Sequence, residues 1–316
     1  MSDICLIVVW FGPWPDWINF FLKSCRLNAG IKWIIFTSNT APAERPSNVD
    51  VVNMDQSDFE SRVSAAIGSS FKLAHGYKLC DLKPLYGQIF SDLITKYKFW
   101  GYCDVDVIFG NLDAFLVPTT LQNADIITSS NTLIAGHFTI LRNTIHLKQL
   151  YRQCPDWLSV ILDEKHRTFD EKDFNSLVLD LAQRAVIRLA RVPMVSEDAL
   201  IWWSGRSRFL ILWNRGRLFD VACLRPLGYF HFIQTKLKRR MTQSDLYLNS
   251  NTFAICDDGI CEIRGTSGLI WLLRRMATVF VRTVPWYMKS VAKCIVPRAV
   301  RAKLRSAYSS AAPNAR

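Results

Sequence analysis

The sequence predicts an α/β protein, a mixed sheet flanked by helices and followed by a basic amphipathic helical tail. Three observations carry that expectation. Strand, helix and strand succeed one another between Ile4 and Thr37, an amphipathic segment runs straight into the apolar stretch Phe99–Gly110, and hairpin signals replace this alternation after Arg208.

Taken in order, Ile4 to Trp10 reads as a buried strand that Gly12-Pro13-Trp14-Pro15 breaks before a helix from about Asp16 to Asn28. Ile31 to Thr37 is the second strand, so the first unit is βαβ, with a right-handed crossover and parallel pairing. Pro42 and Pro46 mark a loop before a short strand at Val49–Val52 and a helix from about Gln56 to Ile67. The periodic apolar segment Leu82 to Tyr97 predicts one helix feeding the strand at Phe99. Further strands are expected at Ala124–Ser129 and Phe138–Leu141, and helices over Leu147–Asp163 and Lys172–Ala185. Asn214-Arg215-Gly216 and Asp257-Asp258-Gly259 are turn signals, which predict hairpins over Phe209–Val221 and Phe253–Ile263.

Within the second of these features stands Asp104-Val105-Asp106. An ionised carboxylate in an apolar, strand-like segment is costly unless it is paired or holds a metal, so two of them point to a hard-cation site at a strand end. Read as strand residues two apart, Asp104 and Asp106 share a face and converge on one ion, a geometry suited to a metal-bound diphosphate. The alternative is a pair of strand-end carboxylates satisfied by backbone amides. A helix followed by a buried strand with acids at its exit fits an open α/β sheet, where ligands gather at the carboxyl ends of strands.

Half of the 316 residues are hydrophobic and eleven are tryptophan, which excludes a disordered chain and allows one large core. The formal net charge is +12, yet the residues after Glu262 hold eleven lysines and arginines and no acid, so the rest of the chain is close to neutral. That distribution argues against nucleic acid as the partner of the main domain. Nine cysteines without a Cys-x-x-Cys pair read as free thiols in a reducing cytoplasm. The N-terminus lacks a basic region ahead of its apolar run, so it reads as a first strand and not a signal peptide.

Three segments, Lys78-Leu-Cys-Asp-Leu-Lys-Pro-Leu-Tyr-Gly87, Phe99-Trp-Gly-Tyr-Cys-Asp-Val-Asp-Val-Ile-Phe-Gly110 and Gly136-His-Phe-Thr-Ile-Leu-Arg-Asn143, resemble the core motifs of bacterial GT-A-type glycosyltransferase-like proteins found with polysaccharide and lipopolysaccharide assembly genes. The likeness runs from about Ile4 to about Met241. It implies a GT-A-like, Rossmann-like fold that binds a nucleotide diphosphate sugar together with Mn2+ or Mg2+.

The resemblance also assigns roles. His231 is implied as the third metal ligand beside Asp104 and Asp106, with Lys236 and Arg239 as candidates for the donor phosphates; a satisfied core histidine is the alternative. Extra residues after Phe232 relative to the family pattern leave open which cation reaches the diphosphate. Asp81 and Lys83 are implied as donor-binding residues, although Asp81 before Pro84 also reads as a helix cap. Gly136 and His137 would border the sugar pocket, the glycine allowing close approach and the histidine donating to a hydroxyl. Asp170 and Glu171, after Phe169, resemble the family's Phe-Asp-Glu and are the candidate catalytic pair, with a solvated helix start as the other reading. Glu197-Asp198 is a second acidic pair of lower rank. Phe36-Thr37-Ser38-Asn39 stands where relatives carry Phe-Thr-Asp, so the carboxylate expected for the nucleoside is missing.

Residues 1–264 are thus expected to form a glycosyltransferase domain and residues 265–316 a basic amphipathic tail. Trp271, Trp286 and Tyr287 beside basic residues suit an anionic membrane surface, while a nucleic-acid-binding tail and a helix covering the domain are the alternatives. The expected activity is metal-dependent transfer of a sugar to a glycan or lipid-linked acceptor at the inner face of the cell membrane. A non-catalytic nucleotide- or glycan-binding scaffold is the second expectation, and a nucleotidyltransferase, for which no Gly-rich phosphate loop is found, the third.

Overall fold

The computed structural model describes residues 3–198, 201, 209–233, 236, 251–257, 259–263 and 265–295, with side chains described to Val281 in the last helix. β1 (Ile4–Val9), β2 (Ile31–Thr37) and β3 (Val49–Asn53) are parallel, and α1 (Ile18–Arg26) makes the first crossover. α2 (Gln56–Ile67) follows. Asp55 caps it, accepting a hydrogen bond from the Asp58 amide at 2.8 Å, and Gly68 ends it at φ 75°.

The single helix expected over Leu82–Tyr97 is instead α3 (Lys78–Leu82), a 3-10 turn at Lys83–Leu85 and α4 (Tyr86–Ile89). Pro84 lacks the amide that a continuous helix would use there. Beyond Ile89, Phe90 stacks on Phe36 with centroids 4.0 Å apart, so packing on the sheet replaces further turns of helix.

β4 (Phe99–Cys103) pairs in parallel with β1, and β5 (Val107–Phe109) leaves the sheet. After α5 (Pro118–Asn123), β6 (Ile126–Thr128) and β7 (Phe138–Arg142) are antiparallel to each other, and β7 is antiparallel to β4. The expected Leu147–Asp163 helix is broken into α6 (Ile145–Lys148), a 3-10 turn at Leu150–Gln153 and α7 (Trp157–Leu162), because Pro155 and the left-handed Asp156 at φ 52° interrupt it. α8 (Asp173–Gln183) and β8 (Leu189–Arg191) complete a seven-stranded mixed sheet, order β3-β2-β1-β4-β7-β6-β8. Alternate strand residues feed two cores: Ile7, Phe36 and Trp100 face α2 and α8, whereas Leu6, Trp33 and Phe99 face α1. Burial on both faces explains the unbroken apolar runs of β1 and β2.

Two smaller sheets follow. β9 (Val195–Glu197), which the sequence reading missed, joins one of them. β10 (Leu210–Asn214), β11 (Arg217–Asp220) and β12 (Arg225–Leu227) precede β13 (Tyr229–His231), then β14 (Thr252–Cys256) and β15 (Gly259–Glu262). One antiparallel sheet runs β12-β11-β10-β14-β15, and a three-stranded sheet runs β5-β13-β9.

The last helix, Gly265–Ile295, is not a detached tail at its start. Val279 is buried, and Trp271, Leu272, Met276 and Phe280 pack with it against Leu210, Ala254 and Cys256. Leu269, Ile270, Leu273 and Val281 stay exposed. Among the described residues, no helix is long and apolar enough to cross a membrane.

Candidate active site

A cleft opens at the carboxyl ends of β1 and β4, where a parallel sheet presents its ligands. Asp104 and Asp106 stand there, but in the bend that joins β4 to β5, not on one strand as expected. Their convergence therefore comes from the bend. Trp17 holds it, donating its indole N–H to the Val105 carbonyl at 3.1 Å, and the Asp104 amide donates to the His137 carbonyl at 3.2 Å.

His231 reaches the same place through strand register. In the small sheet β13 lies between β5 and β9, so His231 is opposite both Val107 and Glu197. Its Nε2 is 3.5 Å from Asp106 Oδ1, an ion-pair separation longer than a good hydrogen bond. Ligand atoms of Asp104, Asp106 and His231 all lie within 4.8 Å of one another. Two carboxylates and an imidazole whose other nitrogen is held by a carboxylate suit Mn2+ or Mg2+, so the residues present fit the implied cation.

Both carboxylates also meet lysines. Lys83 Nζ donates to Asp104 Oδ1 at 2.6 Å and to the Gly136 carbonyl at 2.9 Å, and Lys236 Nζ donates to Asp106 Oδ2 at 2.6 Å. Burial alone would push the Asp106 carboxyl up, yet His231 and Lys236 hold it well below the usual carboxylate range. Burial likewise disfavours the His231 imidazolium, but the Asp106 and Glu197 carboxylates raise it to about 10. Lys83 is raised against the pull of burial by Asp104. The site is a compact alternation of charges, each group stabilising the ionised form of the next.

Two cavities adjoin at this line of charge. The first, about 360 Å³, is walled by Trp10, Phe11, Trp17, Tyr77 and the ends of β1 and α3. The second, about 430 Å³, is lined largely by polar and charged residues, among them Ser130, Thr132, Asp170, Glu171 and His231, beside Gly136. Tyr77, Cys80, Lys83, Asp104, Asp106 and Lys236 line both.

Of the remaining expected residues, Asp170 and Glu171 do reach the second cavity and divide their tasks. Glu171 Oε1 accepts the Gly136 amide at 2.9 Å. Asp170 is 3% exposed, and burial pushes its carboxyl up to about 7, with Lys83 opposing and Glu171 adding to the rise. Gly136 is needed for these acids: a Cβ there would stand 2.5 Å from Asp170 Oδ2 and 2.8 Å from Glu171 Oε1. The close neighbour that demands glycine is thus the protein itself.

Asp81 differs from its expected place. It is inside α3 without a capping role, fully buried, and it lines neither cavity. Its oxygens accept Lys78 Nζ at 2.9 Å and the amides of Arg167 and Phe169 at 2.9 Å each, anchoring the loop that delivers Asp170. His137 lines the second cavity with both nitrogens engaged, Nδ1 to Tyr229 Oη at 2.7 Å and Nε2 to Glu197 Oε1 at 3.1 Å. Those contacts replace the hydroxyl donation the sequence suggested. Ser38 is exposed beside Asn39, whose side chain ties Gly12 to Thr37. Arg239 lies outside the described residues. Tyr229 and the aromatic wall were missed, and Glu197, ranked low as part of an acidic pair, gains its place beside His231 through strand register alone.

Fold and site together define a mixed α/β protein with a carboxylate- and imidazole-lined cleft at the carboxyl ends of its central strands. A family model, Family of unknown function (DUF6625), matches residues 6–264, and the chain belongs to that family. No curated protein matches the sequence significantly. Solved structures similar to it include galactosyltransferase LgtC in complex with donor and acceptor sugar analogs, with 8% identity and TM-score 0.39 over 72% of this chain and 87% of that one. The apo form of glycosyltransferase GlyE from Streptococcus pneumoniae TIGR4 aligns with 12% identity and TM-score 0.39 over 92% of this chain and 64% of that one. Mouse xyloside xylosyltransferase 1 gives 10% identity and TM-score 0.33 over 61% and 78%.

Proposed function

We propose that this protein is a GT-A-like, metal-dependent glycosyltransferase that moves a sugar from a nucleotide diphosphate donor to a hydroxyl of a glycan or lipid-linked acceptor. The observation that carries the reading is the convergence of Asp104, Asp106 and His231 at the seam between an aromatic cavity and a polar one. A nucleoside suits the aromatic side, a sugar suits the polar side, and a diphosphate between them would lie along the shared residues. Asp104, Asp106 and His231 would hold a divalent cation, which when bound would supply Lewis-acid stabilisation of the departing nucleoside diphosphate. Lys83 and Lys236 add fixed positive charge. Asp170, whose carboxyl burial raises to about 7 and which lines the polar-residue cavity, would hold a substrate hydroxyl and exchange a proton with it.

The test is thermal shift with a panel of nucleotide diphosphate sugars, with and without Mn2+, on wild type and Asp106→Ala. Stabilisation by one donor that requires Mn2+ and disappears in the variant supports the reading. No shift with any donor would sink it. A scaffold that binds donor without turnover is the second reading, favoured by Ser38 at the expected carboxylate position; Mn2+-dependent binding with no product on any acceptor would select it.

The last helix adds a proposal about location. Leu269, Ile270 and Leu273 are exposed on a segment without acidic residues, which suits the anionic cytoplasmic face of a membrane bearing a lipid-linked acceptor.

A further inference from the structure

The geometry points to Glu197 as a positioning residue that sets which nitrogen His231 presents to the cation. This inference rests on the proposed reading of Asp104, Asp106 and His231 as a cation site. Glu197 ends β9, is 13% exposed at its side chain, and is in direct register with His231 on β13. One oxygen, Oε1, meets two imidazoles: His231 Nδ1 at 2.9 Å and His137 Nε2 at 3.1 Å.

The consequences for the two rings differ. His137 is closed, because its Nδ1 is taken by Tyr229 Oη, which in turn contacts Ser129 Oγ. His231 is open. Its Nδ1–H donates to Glu197, so the remaining nitrogen, Nε2, is the one that faces Asp106. An imidazole freed from that carboxylate can turn about its side-chain torsion and offer either nitrogen, or neither, to the ion. The second ring supports the first: the His137 and His231 centroids are 4.4 Å apart, and the Ser129, Tyr229, His137 chain holds Glu197 in place from behind. Partners of this kind, hydrogen-bonded to a metal ligand and not to the metal, are worth about 10- to 100-fold in metal affinity.

A carboxylate that merely stabilises the fold would make the same contacts without affecting cation binding, and that difference defines the test. Full-length wild type, Glu197→Gln, Glu197→Leu and Asp106→Ala are titrated with Mn2+, following the free-ion signal by electron paramagnetic resonance. In parallel, histidine nitrogen spectra are recorded with Mg2+, which is diamagnetic. Glu197→Leu is expected to weaken Mn2+ binding about 10- to 100-fold, and Glu197→Gln, which keeps an acceptor but loses the charge, by an intermediate factor. His231 in Mg2+-loaded wild type should carry its proton on Nδ1, and this signature should be lost in Glu197→Leu. Should Glu197→Leu fail to fold, Glu197→Gln carries the comparison. Wild-type affinity and an unchanged His231 spectrum in folded Glu197 variants, with Asp106→Ala defective, would overturn this inference alone. Absence of Mn2+ binding by wild type itself would overturn the cation site and this inference together.

Discussion

The two cavities share one line of charged residues and differ in the side chains that complete their walls. The first is walled by Trp10, Phe11 and Trp17, aromatic side chains that offer apolar area and stacking faces, with the Trp10 and Trp17 indoles pinned by their N–H bonds to the Pro13 and Val105 carbonyls. The second is walled by groups whose positions are set by hydrogen bonds from elsewhere: Glu171 by the Gly136 amide, His137 by Tyr229 and Glu197, and the Asp170 loop by Asp81. If the proposed function holds, damage to the first cavity should raise the donor concentration needed, while damage to the second should slow transfer.

The largest effect should come from the shared line. Asp106→Ala removes a proposed ligand and leaves Lys236 without its partner, so transfer should fall about 1,000-fold or more, measured as product formation at saturating donor. A smaller loss would mean that the cavities do not meet at a cation. Next is Asp170→Asn, expected to cost about 100-fold in turnover with donor affinity unchanged, which would separate the second cavity from the first.

The same variant has a signature in stability. The Asp170 carboxyl is raised by burial to about 7, whereas an unfolded aspartate ionises near about 4. Between those values the native state keeps a proton that the unfolded state has lost, so this group's contribution declines as pH rises from about 4 to about 7 and levels off above. Denaturant titrations at several pH values should show that decline in wild type and its absence in Asp170→Asn.

Gly136→Ala tests the second wall directly. Its methyl would press on both Asp170 and Glu171, so a destabilisation of about 1–3 kcal/mol with slowed transfer is expected by chemical denaturation and kinetics. Tyr77→Ala, at a residue 71% exposed on the rim of both cavities, should weaken donor binding about 10-fold in isothermal titration and leave the melting temperature unchanged. The smallest effect should be that of Leu269→Glu with Leu273→Glu, which should reduce co-sedimentation with anionic vesicles by a few-fold and leave transfer to a water-soluble acceptor as in wild type.

Legibility in the sequence followed the same division. Strands buried on both faces, such as β1 and β2, announce themselves as apolar runs, and the hairpin at Asn214-Arg215-Gly216 does so by its turn residues. Helices fared less well where a proline or a left-handed residue cut the period, as at Pro84 and at Asp156. Short strands such as β9 and β13 carry too few residues for a pattern to rise above chance.

By itself the sequence determined the alternation of strand and helix, the glycine and proline breaks, the basic end of the chain and the presence of two acids after a buried strand. These depend on near neighbours: hydrophobic period, missing amides and charge spacing. Tertiary structure alone decided that Asp81 anchors a loop, that Trp271 packs on a sheet, and that Glu197 sits between two histidines. Strand order and register bring residues far apart in the chain to hydrogen-bonding distance, and no local property of either residue specifies its partner.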